Sequence, residues 1–226
     1  MAKKNAIISL GGSLIVPNGV DIRFLKKFKS LILKHLREYN FVIFTGGGKI
    51  AREYQKAGKE VGGISQTQMD WLGIWASILN AQLIKNIFKN EAYTEIITVP
   101  TKKIKWEKPL IIGAGWKPGW STDFDAVKLA QINKIDKVIN LSNIKYVYNK
   151  DPKKFKDAKK IEKICWPDFR RIIGYKWKPG LNAPFDPVAA ELAEKSRIKV
   201  AIIGGENLIE LDNCLKNNKF KGTLII

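Results

Sequence analysis

Three times along this 226-residue chain, an apolar run ends in glycines and hands over to a helix-like pattern. The first is Ala6-Ile7-Ile8-Ser9-Leu10 into Gly11-Gly12-Ser13. The second is Phe41-Val42-Ile43-Phe44-Thr45 into Gly46-Gly47-Gly48-Lys49, with Arg52 one turn further on. The third is Leu110-Ile111-Ile112 into Gly113-Ala114-Gly115, followed by Lys117-Pro118-Gly119-Trp120-Ser121-Thr122-Asp123. Repeated strand–turn–helix units call for a largely parallel sheet, because parallel neighbours need a crossover between them. A helix opening on glycine leaves free N–H groups aimed at one spot, and its dipole adds about half a positive charge there. One such turn suits one phosphate. Three at one sheet edge could hold a phosphate donor, an acceptor and the charge passing between them.

The remaining chain keeps the α/β alternation. Asp21 is placed to cap a helix whose apolar positions, Ile22, Leu25, Phe28, Ile32 and Leu36, recur at three and four. A helix is expected from about 49 to 60, broken by Gly62-Gly63. A longer one, 66–88, is apolar on more than one face through Trp71, Leu72, Ile74, Trp75, Ile78 and Leu79, so burial on two sides is expected, in the fold or at a subunit contact. Strands are expected at 95–99, 109–112, 137–141, 200–203 and 223–226, with a hairpin-like piece at 144–148. Helices are expected at 124–133, 187–195 and 208–215, a partly helical stretch at 161–173, and a turn at Trp177-Lys178-Pro179-Gly180. No Pro/Ser linker interrupts the chain, so residues 1–226 read as one domain with a soft lobe division near 135.

Composition narrows the chemistry. The two cysteines, Cys165 and Cys214, form no CxxC pair, and His35 is the only histidine. Thiolate metal sites, disulfide frameworks and histidine-based triads are therefore poor readings. No apolar run reaches the roughly 18 residues of a membrane span, and no secretory leader is evident, so no membrane partner and a cytoplasmic location are expected. The formal charge of +19 suits polyanions, but the lysines are scattered over helix faces and loops. A general lysine bias explains this better than a dedicated nucleic-acid partner.

Phe44-Thr45-Gly46-Gly47-Gly48-Lys49-Ile50 is not a P-loop, because Ile43 and Ile50 stand where one needs glycine and Ser/Thr. It satisfies a relaxed GxGxxA pattern, with Arg52 able to fork onto a phosphate. Ser121 or Thr122 can cap a helix, and Asp123 and Asp125 could hold Mg²⁺ through water or orient donors. Asp70, in Met69-Asp70-Trp71-Leu72-Gly73, could accept sugar hydroxyls or simply face solvent.

As an ordered set these motifs resemble the amino acid kinase family, most closely its UMP kinase branch of the archaeal kind. The similarity rests on Gly11–Ile15, Thr45–Tyr54, Asp70–Ala81, Pro118–Asp123, Asn143–Pro152 and Phe185–Ala190. It implies a three-layer α/β/α sandwich with a mainly parallel sheet. It also implies transfer of the ATP γ-phosphate to UMP within pyrimidine nucleotide biosynthesis, Mg²⁺ dependence and a hexamer. By position, Gly12, Ser13, Gly48 and Arg52 would meet ATP phosphates, and Ser142, Tyr148 and Asp151 the rest of that nucleotide. Gly47, Asp70, Lys117, Pro118, Gly119, Trp120, Ser121, Thr122 and Asp123 would hold UMP, with Lys117 and Asp123 catalytic; the metal ligands are left unassigned.

Many relatives carry a lysine two residues before the first glycine; here that place is Ser9. Lys117 is then the candidate for the missing charge. Two alternatives stay open: a kinase of the same family with another acceptor, and a non-catalytic anion-storage protein of the same fold.

Overall fold

The computed structural model describes residues 3–175 and 183–226. The expected turn at 177–180 lies outside them. In chain order the elements are β1 (Lys4–Leu10), α1 (Gly12–Ile15), α2 (Ile22–His35), β2 (Tyr39–Thr45), α3 (Gly48–Gly62), α4 (Gln66–Ile87), β3 (Ala92–Ile97), β4 (Leu110–Gly113) and α5 (Thr122–Ile132). There follow β5 (Lys137–Ser142), β6 (Val147–Tyr148), β7 (Lys160–Ile161), β8 (Lys163–Ile164), α6 (Trp166–Ile173), α7 (Pro187–Lys195), β9 (Lys199–Gly204), α8 (Leu208–Leu215) and β10 (Thr223–Ile225).

Eight strands form one sheet in the order β3-β4-β2-β1-β5-β9-β10-β8. The pairs β1–β2, β1–β5, β2–β4, β3–β4, β5–β9 and β8–β10 are parallel, and among the described residues the one antiparallel pair of this sheet is β9–β10. The 144–148 segment is not a local hairpin: β6 pairs antiparallel with β7, across an excursion of a dozen residues. Strand β3 begins at Ala92, earlier than its charged residues suggest, because Ala92 pairs with Leu110 before a register shift.

Strand alternation sorts the core into two layers. Ala6, Ile8, Leu10, Phe41, Ile43, Ile139, Leu141, Ala201 and Ile203 face α2, α4 and α8. Ile7, Val42, Phe44, Val138, Val200 and Ile202 face α5, α6 and α7. Residues such as Phe28, Phe41 and Phe169 are fully buried, each worth about 1.5–3 kcal/mol in removed apolar surface.

Local signals end the helices where the sequence places them. The Asp21 carboxylate accepts the Phe24 N–H, Ser121 Oγ accepts the Phe124 N–H, and Gly63 (φ +57°) closes α3 in the left-handed region. A reciprocal Ser65–Gln68 capping box starts α4. One face of α4 is buried within the chain, at Ile74, Ala81 and Ile84; on the other, Trp71, Trp75 and Leu79 are exposed. The second buried side expected for this helix is therefore not supplied by its own chain. Strand β1 is the switch point: β2 lies on one side and β5 on the other, which opens a crevice beyond the carboxyl ends of the strands.

Candidate active site

The first two glycine turns touch backbone to backbone above β1 and β2. A methyl on Gly12 would lie 2.2 Å from Gly46 O and 2.5 Å from Gly48 N, and one on Gly48 would lie 2.4 Å from Gly12 C. Gly48 also has φ +64°, a conformation that side chains resist. The glycines at these two places are thus required by each other. Among the described residues no side chain caps α1 or α3, and α3 carries no acidic residue in its first turn. The first-turn N–H groups and positive pole of α3 are left for a ligand. Arg52 Nη2 donates to Ser13 Oγ at 3.1 Å, so the guanidinium spans both turns.

Asn80, almost fully buried on α4, fixes the second turn by donating Nδ2 to Gly46 O at 2.8 Å. Thr45 Oγ1 donates to Ser77 O at 2.9 Å, and Ser77 Oγ accepts the Gly115 N–H at 2.9 Å. These bonds join the ends of β2 and β4 to one helix. Their sequence signal is modest: polar residues on an otherwise apolar helix face.

The third turn closes a cavity of about 240 Å³ against the second. Gly47, Asp70, Gly119, Trp120, Ser121 and Thr122 all line it, together with Gly73, Ser77 and Gln55. The Gly119 N–H donates to Asp70 Oδ2 at 2.8 Å, and Gln66 Nε2 donates to Asp70 Oδ1 at 2.7 Å. Asp70 is therefore the tie between α4 and the loop, with lone pairs to spare for hydroxyls. Following Pro118, Gly119 (φ +84°) turns the loop back. Lys117 does not line the cavity. Its Nζ sits 4.2 Å from the Trp116 ring centre and 5.8 Å from that of Trp120, at the end of a Phe124–Trp120–Trp116 aromatic row.

Below the loop, Asp123 meets the residue that stands in the place of the expected lysine. Ser9 Oγ donates to Asp123 Oδ1 at 2.6 Å, and Asn140 Nδ2 donates to the same oxygen at 2.8 Å. Burial pushes Asp123 up to about 6, opposed by the Ser9 hydrogen bond and reinforced by the Asp186 charge. Asp125 points inward rather than toward a ligand. It is fully buried, its Oδ2 accepts the Trp116 N–H at 3.1 Å, and its Oδ1 has no partner among the described residues. Burial drives it up to about 8, against the Trp116 N–H and with the charges of Asp123 and Asp186. With its side chain fully buried and one oxygen held by the Trp116 N–H, Asp125 reads as a structural residue rather than the Mg²⁺ partner the sequence offered. Asp186 caps α7 through the Val188 and Ala189 N–H groups, and burial raises it too.

On the other side of β1, Ser142 lies against the first turn: a Gly11 methyl would sit 3.4 Å from Ser142 Cα. Tyr148 lies in β6, and Asp151 Oδ1 accepts the Lys153 N–H within its own turn. No hydrogen bond among the described residues links Asp151 to the glycine turns. Lys145 and Glu206 pair at 2.8 Å across the ends of β5 and β9. A cavity of about 580 Å³ opens at the opposite edge of the sheet and shares no residue with the 240 Å³ one. The smaller is the candidate active site, because the second and third glycine turns line it and the first packs on the second.

The sequence that builds these turns matches the amino acid kinase family model over residues 4–204. The chain belongs to the amino acid kinase family. Within it, the chain is similar to the uridylate kinase of Pyrococcus abyssi, 32% identical over 223 residues that cover 97% of this chain and 98% of that protein. The uridylate kinase of Methanocaldococcus jannaschii is 32% identical over 229 residues, again 97% and 98%. Among solved structures, uridylate kinase from Archaeoglobus fulgidus superposes with TM-score 0.83 at 30% identity, covering 99% of this chain and all of that one. UMP kinase from Ureaplasma parvum, at 20% identity and TM-score 0.81, shares the fold over all of this chain and 99% of its own.

Proposed function

We infer that this protein is an ATP-dependent UMP kinase, which transfers the γ-phosphate of ATP to UMP and releases ADP and UDP. The observation that carries this reading is the meeting of three amide-rich turns at one switch point, in a chain alike over almost its whole length to uridylate kinases. Phosphoryl transfer asks for positioning and charge neutralisation rather than covalent help, so a chain without a histidine at the site meets the requirement.

In this reading the Gly12 and Gly48 amides, Ser13 and Arg52 hold the ATP phosphates. Ser142, Tyr148 and Asp151 hold its sugar and base. The 240 Å³ cavity takes UMP: Asp70 accepts ribose hydroxyls, Gly47 lets the phosphate approach, and residues 119–122 enclose it, with Pro118 shaping their turn. Lys117 supplies the mobile positive charge. The Trp116 and Trp120 rings hold its ammonium until a phosphate competes for it. Asp123 orients the groups around the transferred phosphoryl and is ionised above about pH 6.

Mg²⁺ fits this site as an ion carried in on ATP, because it keeps several waters and needs only one or two carboxylates. Asp123 is the carboxylate that would hold it through water, and the ion would neutralise β- and γ-phosphate charge. We propose one domain, supported by a sheet that runs unbroken past residue 135, and a cytoplasmic location by its resemblance; among the described residues no helix is long and apolar enough to cross a membrane. We also propose a homo-oligomer, a hexamer by its resemblance, with the exposed Trp71, Trp75 and Leu79 stripe of α4 at a subunit contact.

A coupled assay of ATP with a panel of nucleoside monophosphates and carboxylates tests the function. UMP should be the preferred acceptor. Turnover of another acceptor in its place, or of none, would refute the reading.

A further inference from the structure

The 580 Å³ cavity lies at the amino ends of β1, β5 and β9, on the opposite edge of the sheet from the glycine turns. Lys4, Lys137 and Lys199 line it. Each stands two residues before a side chain of one core layer, namely Ala6, Ile139 and Ala201. Strand alternation therefore sends all three lysines to the same face. Lys137 and Lys199 are direct register partners on adjacent strands, where backbones run about 4.8 Å apart. Like charges so placed repel. Lys134 adds a fourth cation, and Asp136 is the single carboxylate in the lining.

None of these four lysines forms an ion pair among the described residues, although lysines elsewhere on the surface do so repeatedly. Lys137 Nζ reaches only neutral oxygens, Cys214 O and Asn217 Oδ1, both at 3.3 Å. Lys4 rests 5.7 Å from the Tyr39 ring centre. The nearby end of α8 contributes the negative pole of one short helix, which offsets part of one lysine's charge but not that of four. Tyr39 and Phe220 give the cavity an apolar wall beside the cations.

We propose that this cavity is a second anion site, taking a small ligand with two or more phosphate groups. The size falls within the range of small-molecule pockets. Clustered unpaired cations beside an aromatic wall suit a polyphosphate that carries a ring. The site is separate from the one that performs the transfer, and its occupation does not depend on the acceptor assigned above.

The test uses inorganic tripolyphosphate as probe on the full chain, in an Arg52→Gln background that weakens the glycine-turn site. Calorimetry follows binding, and lysine acetylation read by mass spectrometry locates it. Binding should persist in Arg52→Gln and fall at least tenfold in Arg52→Gln/Lys199→Gln. Tripolyphosphate should slow acetylation of Lys137 and Lys199 at least fivefold, and leave Lys26 and Lys27 on α2 unchanged. Lys199 makes no side-chain hydrogen bond among the described residues, so this variant should unfold at no lower temperature than its parent. Equal affinity with and without Lys199, equal protection of all lysines, or an oligoribonucleotide that binds the cavity in preference to tripolyphosphate would each overturn the proposal.

Discussion

The two edges of one sheet solve the same electrostatic problem by opposite means. At the carboxyl edge, positive potential comes from backbone amides, helix poles and a few side chains such as Arg52 and Lys117. At the amino edge it comes from lysine side chains, three of them set on neighbouring strands. Amides are fixed in direction and cost no reorganisation when charge moves, which suits a reaction. Lysine ammoniums are mobile and strongly hydrated, which suits reversible capture. The first design demands glycines at exact contacts and tolerates little change. The second should tolerate substitution well.

The largest break in this comparison is Gly12→Ala. A methyl 2.2 Å from Gly46 O has only backbone to displace, so the two turns must separate. Phosphorylation of UMP should fall to background, and the thermal midpoint should drop, both measurable on one preparation. Next comes Lys117→Ala. If Lys117 acts on the transferred group as proposed, its removal should lower kcat by about 100-fold or more, with KM for UMP changed only a few-fold. An unchanged kcat would remove Lys117 from the catalytic group.

Ser9→Ala sharpens the picture at the floor of the site. The Ser9 hydroxyl favours ionised Asp123, so its loss should move the acidic limb of the kcat–pH profile upward from about 6. A limb that stays in place would mean that Asp123 does not govern the profile. Asp125→Asn acts on stability. The folded-state value of Asp125, about 8, lies above its unfolded value near 4, so the unfolded chain releases its proton first as pH rises. Wild-type stability should decline from about pH 4 toward pH 8, at about 1.4 kcal/mol per unit for this one group. The asparagine variant should lose that part of the decline, as read from denaturant midpoints across pH. The smallest effect belongs to the other edge: Lys199→Gln should leave kcat and KM for UMP within about twofold, as for a surface change away from the chemistry.

Much of the fold was legible because its causes are local. The glycine turns, the Asp21 and Ser121 caps, and the break at Gly63 each arise from a few adjacent residues. The residues gathered at the 240 Å³ cavity were legible as motifs in order: Gly47, Asp70, Gly119, Trp120, Ser121 and Thr122 line one space, while Lys117, Pro118 and Asp123, expected beside them, do not line it. The Ser9–Asp123–Asn140 group was not legible. Its members are 114 and 17 residues apart, and nothing in their immediate neighbours marks them as partners. Asn80 was likewise hidden, since its target is a carbonyl in another element.

What the sequence by itself determined is the series of strands, turns and helices, and with it the glycine positions where side chains could not fit. Backbone sterics and short-range hydrogen bonds set these, so a few neighbouring residues carry the information. Only the tertiary structure decided which carboxylates lose their water, where Lys117 rests, that Asp125 turns inward, and that lysines from three strands share one cavity. Those outcomes depend on distance and dielectric between groups far apart in the chain, quantities that come into being when the sheet assembles.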